Sequence, residues 1–112
     1  MKLCLIVLNK VEVLDKLLHG MIEKGITGAT ILNSTGMVKE LANNIEDYPI
    51  LGTISYLLNN NRKESKTIFT VIKDEQVETL KKILYETVGD LTKPDTAVFF
   101  ILPVLSAEGV DF

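Results

Sequence analysis

The sequence has little of several residue types: one cysteine, no tryptophan and three prolines among 112 residues. With Cys4 alone the chain cannot form an internal disulfide, which suits a reducing cytosol, and Cys4 is interpreted as a small core residue. The apolar part of MKLCLIVLNK is too short for a signal peptide, and no run reaches the roughly 18 apolar residues of a transmembrane helix. We therefore expect a cytoplasmic protein that does not insert into a membrane.

Positive charge is not in excess either, since 12 basic residues against 15 acidic ones give a formal charge of −3. Such a chain has no general attraction for nucleic-acid backbones. Its one basic cluster, Arg62, Lys63 and Lys66, is interrupted by Glu64. Nucleic acid is therefore not expected as a partner.

Apolar residues are plentiful, at 46% of a chain whose length fits one domain spanning residues 1–112. Residues 2–8, KLCLIVL, form a run typical of a strand buried on both faces. Residues 11–24 predict an amphipathic helix ending at Gly25, and GATILNST predicts the second strand. The apolar stripe assigned to that helix consists of Val11, Leu14, Leu18, Met21 and Ile22.

The second half of the chain repeats this order. KTIFTVI, residues 66–72, predicts a strand, Asp74 is the expected N-cap of a helix, and TAVFFILPV predicts the last strand. The stripe of this second helix consists of Val77, Leu80, Leu84 and Val88. Two β-α-β units in tandem predict an α+β, ferredoxin-like βαββαβ fold with an antiparallel four-stranded sheet and two helices on one face. Pro103 then falls on an edge strand, where its missing N–H is tolerated.

In the first and last strands, both the odd-numbered and the even-numbered positions are apolar, so both faces of each strand are apolar. Leu3, Leu5 and Val7 alternate with Cys4 and Ile6, for example, although two helices can cover only one face of the sheet. An apolar sheet face left in water would be an association site, so we expect an oligomer built sheet to sheet.

A long insertion, about residues 37–65, separates the two units. Met37, Val38, Leu41, Ala42 and Ile45 suit one short helix. A second helix is predicted after Pro49 over about residues 50–58, followed by an exposed NNNRKESK segment, residues 59–66.

Several strings, in this order of elements, resemble the nitrogen regulatory protein P-II family and its wider P-II-like superfamily. They are GITGATILNSTG with glycines at 25, 28 and 36, the long insertion after the second strand, DEQVE opening the second helix, and FFILPV ending the fourth strand. The resemblance spans about residues 1–105. It implies a non-enzymatic signalling or regulatory protein, a homotrimer whose sheets face inward.

The resemblance also implies two kinds of site. The insertion would contact a target protein, commonly a transporter or a metabolic enzyme, and clefts between subunits would bind an adenine nucleotide (AMP, ADP or ATP) or a cyclic dinucleotide as effector. Carried over position by position, Thr30 would lie near the adenine and Gly36 at the base of the signalling loop, with Thr35 and Met37 beside it. Glycine permits close approach of the backbone, and hydroxyl groups can hydrogen-bond a base or an anion.

The sequence departs from the family where the phosphate loop should align. Asp95, Thr96, Ala97 and Val98 contain neither glycine nor lysine, and Gly89, Asp90 and Lys93 are nearby but at another offset. The C-terminal LSAEGVDF adds only negative charge, so a triphosphate would meet few cations and ATP binding should be lost or weak. Tyr48 and Tyr56 lack the flanking residues of the family's modified tyrosine.

Two alternatives stay open. One is a small oligomeric ferredoxin-like enzyme, for which the strands offer only Asn9 and Asp95 as a titratable or polar pair. The other is a CutA-like structural or metal-tolerance trimer. No catalytic or metal residues are assigned, because Asp15, His19 and Glu23 form a helical ladder typical of a solvated salt-bridge face.

Overall fold

The computed structural model of the protein describes residues 1–42 and 64–111. Its elements in chain order are β1 (Lys2–Leu8), a 3-10 turn (Val11–Val13), α1 (Leu14–Glu23), β2 (Ala29–Ser34), α2 (Met37–Ala42), β3 (Ser65–Ile72), a second 3-10 turn (Asp74–Gln76), α3 (Val77–Val88) and β4 (Ala97–Pro103). This is the predicted βαββαβ order, with the short α2 in the insertion after the second strand.

The four strands form one antiparallel sheet in the order β2-β3-β1-β4. Cys4 at the centre of the sheet is paired with Thr70 of β3 on one side and with Ile101 of β4 on the other. The predicted α+β fold, compatible with the ferredoxin-like arrangement, is thereby confirmed. β4 is an edge strand, so the predicted place of Pro103 is confirmed too.

The core lies between the sheet and the two longer helices. On β1 every second side chain (Cys4, Ile6 and Leu8) is fully buried on the helix side, as the strand's period of two requires. Helix α3 contributes Leu80, Leu84 and Val88 to this core, which confirms most of its predicted stripe, and Val77 packs at its margin. Cys4 is a core residue as predicted, and burial raises the pKa of its thiol.

Helix α1 ends in a Schellman motif. Gly25 has a positive φ of 83°, its N–H donates to Ile22 O at 3.0 Å, and the Ile26 N–H donates to Met21 O at 2.9 Å. The predicted end at Gly25 is confirmed. The predicted stripe is wrong at Ile22, whose side chain is exposed, whereas Leu17, left out of that stripe, is fully buried.

The second helix begins differently from the prediction. Asp74 is not its N-cap, because a 3-10 turn over Asp74–Gln76 precedes α3. The capping contact is instead made by Gln76, whose Oε1 accepts a hydrogen bond from the Lys73 N–H at 2.9 Å. Asp74 Oδ1 accepts from the Met1 amine at 2.7 Å, and this contact lowers the pKa of Asp74.

The insertion is described only at its two ends. The predicted first helix is confirmed as α2 over Met37–Ala42, and the remainder of that helix, the helix after Pro49, Tyr48, Tyr56 and residues 59–63 lie outside the described residues. Where the insertion rejoins the sheet, β3 begins at Ser65, which is buried. The prediction of an exposed segment through residue 66 is therefore wrong at its end, and Glu64 is the last residue before the strand. Among the described residues no helix is long and apolar enough to cross a membrane.

The sheet face opposite α1 and α3, here called the open face, is strongly apolar. The register places on it the polar residues Thr30 and Thr67 and the apolar residues Leu3, Leu5, Val7, Leu32, Phe69, Val71, Val98, Phe100 and Leu102. Their side chains remain half-buried or exposed, and Phe100 keeps 48% of its surface in contact with solvent. A chain on its own therefore leaves an apolar sheet face in water, as the alternation in β1 and β4 predicts.

Candidate functional site

The residues predicted to bind a ligand lie at three separate places, two in segments next to the sheet and one within a strand. Thr35, Gly36 and Met37 follow the end of β2, and the loop before β4 carries Gly89, Asp90 and Lys93. Both groups lie at the end of the sheet where β1 finishes, but on its two outer edges, with β3 and β1 between them. One chain therefore does not bring these two groups together.

The third place is Thr30, the second residue of β2, on the open face. It is paired with Phe69 of β3, and both residues line a cavity of about 310 Å³. The remaining walls come from the same two strands and from the end of the chain: Gly28, Thr70, Val71, Gly109, Val110 and Asp111. The cavity is at the small end of the range of about 300–1,000 Å³ usual for ligand sites. Thr30 thus lines this cavity.

Sequence reasoning missed most of this cavity. The sequence predicts Phe69 and Val71 only as residues of a strand, and it indicates only negative charge for the C-terminal segment. The alternation of β3 puts Phe69 and Val71 on the face away from the helices, and this signal was available. The contact made by Val110 and Asp111 had no local signal, because it joins distant parts of the chain.

The loop before β4 is closed by its own hydrogen bonds. Asp90 Oδ1 accepts from the Thr92 N–H at 2.9 Å and from the Thr92 hydroxyl at 2.7 Å. Both bonds lower the pKa of Asp90, and the bond from the Thr92 hydroxyl has the larger effect. The Lys93 N–H donates to Asp90 O at 3.1 Å, and the Thr96 hydroxyl donates to Lys93 O at 2.8 Å. Several backbone and side-chain donors of this loop are therefore used internally.

The far side of the same loop joins it to β1. Thr96 O accepts from the N–H groups of Asn9 and Lys10, at 2.9 and 3.0 Å. Asp95, with a positive φ of 58°, precedes this point and is exposed. Asn9 and Asp95, the pair considered for an enzyme, therefore lie at one end of the sheet, in the turns that flank β1 and β4.

A cluster of hydroxyl groups lies where the insertion leaves and rejoins the sheet. Ser34 and Ser65 are paired residues whose Oγ atoms are 2.7 Å apart, and the Thr67 hydroxyl donates to Ser34 Oγ at 2.8 Å. The next pair into the sheet, away from the insertion, is joined by a hydrogen bond from Lys66 Nζ to Asn33 Oδ1. These contacts hold the two ends of the insertion side by side, and α2 starts from Gly36, whose carbonyl accepts from the Glu40 N–H at 2.9 Å.

A second concave surface lies on the other side of β2. Exposed Ile22 of α1 and exposed Ile31 of β2 line a mainly apolar groove of about 190 Å³, together with Leu18, Met21, Ile26, Thr27 and Ala29. The exposure of Ile22 follows from this position, since β2 is the last strand and nothing in the described part of the chain extends the sheet beyond it.

The helical ladder considered for a metal lies on the outer surface of α1. Asp15, His19 and Glu23 are all exposed. Within residues 1–42 and 64–111, no three histidine, cysteine, aspartate or glutamate side chains come close enough together to hold a metal ion. The three side chains form an exposed helix face of mixed charge.

Comparison with known proteins gives the fold and nothing finer. No family model matches the sequence, and no curated protein matches it. Among the solved structures that match is the crystal structure of a functionally unknown protein from Pediococcus pentosaceus ATCC 25745, with a TM-score of 0.63 and 17% sequence identity. The match covers 97% of this chain and 96% of that one, so the two share the whole fold. At this identity the likeness shows the fold alone.

Proposed function

We propose that the protein is a non-enzymatic, P-II-like regulatory protein. It forms a homotrimer through the open face, senses a small metabolite at sites between subunits, and binds a target protein through residues 37–65. The effector class implied by the resemblance is an adenine nucleotide or a cyclic dinucleotide, and the target class is a transporter or a metabolic enzyme.

The observation that carries this proposal is the apolar character of the open face. One row across the sheet runs Thr30, Phe69, Leu5 and Phe100, so apolar side chains continue to the β4 edge. Covering such a face stabilises the assembly, because each Å² of apolar surface removed from water contributes about 25 cal/mol. Soluble proteins rarely leave so large an apolar surface uncovered, and the same faces of the other two copies in a trimer would cover it.

The division of the predicted site between two edges supports a site shared by subunits. Thr35 and Gly36 lie beyond β2, and Gly89 and Asp90 lie before β4. In a closed ring of identical subunits the β2 edge of one copy can meet the β4 edge of the next, which would unite these groups. The internally bonded loop before β4 supports a ligand other than ATP, because that loop offers no glycine-rich phosphate cradle.

The assembly is tested by light scattering coupled to size-exclusion chromatography. Phe100→Glu places a charge on the open face and should convert a trimer to a monomer at micromolar concentration. Tyr85→Glu is the matched control, since Tyr85 is an aromatic residue of α3 with 45% exposure against 48% for Phe100. A wild-type monomer, or a trimer that survives Phe100→Glu, would contradict the proposed interface.

The effector is tested separately. Mass spectrometry of small molecules released from natively purified protein should find an adenine compound, and calorimetric titration should show weak or absent binding of ATP. Titrations with ADP, AMP and cyclic di-AMP complete the set. Tight, magnesium-dependent ATP binding would contradict the expected loss of the phosphate loop while leaving the trimer unaffected.

A further inference from the structure

We propose that the C-terminal segment, residues 104–111, opposes association of the protein by covering the β2–β3 part of the open face within a single chain. The segment must leave this place before the open face of another copy can meet it there. This inference rests on the proposed function, because it takes the open face as the surface through which copies associate. It adds to that proposal a competing contact inside each chain.

The C-terminal segment crosses the sheet from one edge toward the other. It leaves the edge strand β4 beside the first residue, where the Val104 N–H donates to Met1 O at 3.4 Å. Farther along, Gly109, Val110 and Asp111 lie against the β2–β3 pair. Because β1 and β3 separate β4 from β2, the segment passes across most of the width of the sheet.

The contact between this segment and the sheet lies on the open face. Of the strand residues that line the cavity beside the segment, Thr30, Phe69 and Val71 direct their side chains to that face. Thr30 and Phe69 also begin the row of open-face side chains that continues through β1 to Phe100. The segment and another copy of the chain therefore compete for the same surface.

The segment is held loosely in this place. A cavity of about 310 Å³ lies between it and the two strands, so the side chains around the cavity lack part of the contacts of a packed interior. Within the part of the chain that the structure describes, hydrogen bonds fix the segment only at Val104. Leu105 is 99% exposed and Val110 is 38% exposed, so Val110 makes the main apolar contact at the far end.

Gly109 provides the turn that brings the segment against the sheet. Its φ of 80° lies in the left-handed region, which β-branched residues avoid most strongly. A Cβ added at Gly109 would meet no atom of the described residues within 4 Å. A valine at this position would therefore disfavour the turn through the backbone alone, without a new clash.

The strength of the competition follows from the burial of Val110. Removing most of a valine side chain from water favours the covered open face by roughly fivefold over the uncovered one. A binding-competent state with this low population weakens the apparent affinity in proportion. Because three copies must each release the segment, the protein concentration at which half of the chains are trimeric should be about tenfold higher than without the contact.

Light scattering of the full chain over a dilution series measures this midpoint concentration. Gly109→Val, which disfavours the turn, and Val110→Asp, which removes the apolar contact, should each lower the midpoint by about tenfold. Leu105→Asp is the matched control, because it adds the same charge to the same segment at a side chain that is 99% exposed. It should keep the wild-type midpoint.

The outcomes separate this inference from the proposed function. If the wild type is trimeric and either Gly109→Val or Val110→Asp fails to lower the midpoint below that of Leu105→Asp, the competing contact is overturned and the trimer still stands. If the wild type and all three variants are monomeric at every concentration, the inference fails together with the proposed assembly.

The place of the segment is tested by NMR in the Phe100→Glu variant, in which the single chain should predominate. Nuclear Overhauser contacts between the Val110 methyl groups and the side chains of Phe69 or Val71 should be present there and absent from the wild-type trimer. Their absence from the monomer, or their persistence in the trimer, would contradict the proposal.

Discussion

At the scale of the single residue, Asp90 organises the loop before β4. Its carboxylate accepts both the N–H and the hydroxyl of Thr92, and these bonds hold the pKa of Asp90 below its usual range. Because the folded-state pKa lies below that of the unfolded chain, the contact stabilises the fold above about pH 4. That contribution is lost as the pH falls through the folded-state value.

Thr92→Val removes the hydroxyl that contributes most to this shift. The pKa of Asp90 should rise toward its ordinary value, because one of the two bonds that favour the carboxylate is gone. Carboxyl chemical shifts followed by NMR during an acid titration measure it directly. Asp74 is the internal control, since its lowered pKa comes from the Met1 amine and should not change. An unchanged Asp90 titration would show that the hydroxyl has no such role.

At the scale of the element, α1 and α3 approach closely at Gly20. A Cβ added there would lie 2.8 Å from Cγ2 of Ile83, a buried side chain of α3. The branch methyl of a buried isoleucine cannot easily move aside in a packed core. Gly20 is therefore required for the distance between the helices, although it lowers the helix propensity of α1.

Gly20→Ala should destabilise the protein by about 1 kcal/mol. Overpacking costs about 1–3 kcal/mol, which outweighs the gain of up to about 1 kcal/mol from replacing glycine within a helix. Urea denaturation measures the change. In the background of Ile83→Leu, which has no Cγ2 methyl at this branch, the same substitution should be neutral or stabilising. A double-mutant cycle without coupling would show that the contact does not restrict residue 20.

The sequence was sufficient to predict the elements that have a strong period. β1 was predicted over the residues it occupies, and the α3 stripe of Leu80, Leu84 and Val88 is buried as expected. The error at Ile22 has a physical cause, because helical spacing identifies an apolar face but not where the sheet beneath it ends. The N-cap was misplaced because a 3-10 turn also begins with Asp74, and both starts favour acidic residues.

At the scale of the whole molecule, the open face links the stability of the fold to association between copies of the chain. A protein that buries this face only when associated has a stability that depends on its own concentration. The ligand site shares this dependence in the proposed trimer, since its two edges come from different copies.

Thermal unfolding across a hundredfold range of protein concentration should reveal the association. The midpoint should rise by several degrees for the wild type, because mass action favours the folded oligomer. Phe100→Glu should unfold at one temperature at all concentrations, whereas Tyr85→Glu should follow the wild type. A concentration-independent midpoint for the wild type would indicate that the open face stays in water.

The candidate site was only partly predictable from the sequence. Thr30 was assigned from a resemblance, and the structure places it in a cavity, yet the residues that complete the cavity come from β3 and from positions 109–111. Contacts between segments so far apart leave no local periodicity. The internal bonding of the loop before β4 likewise depends on the turn adopted by Asp90 and Thr92, which composition alone did not specify.

The pairing of Ser34 with Ser65 has a consequence for how this fold can be altered. The two ends of the insertion are joined by hydroxyl hydrogen bonds and by the strand register, so β2 and β3 are paired as far as the points where the insertion leaves and rejoins the sheet. Exchanging residues 36–64 for another segment, or for a tight turn, is expected to keep the register of the four strands over the described residues. The insertion is therefore a position at which evolution or design can exchange a whole segment while keeping the scaffold.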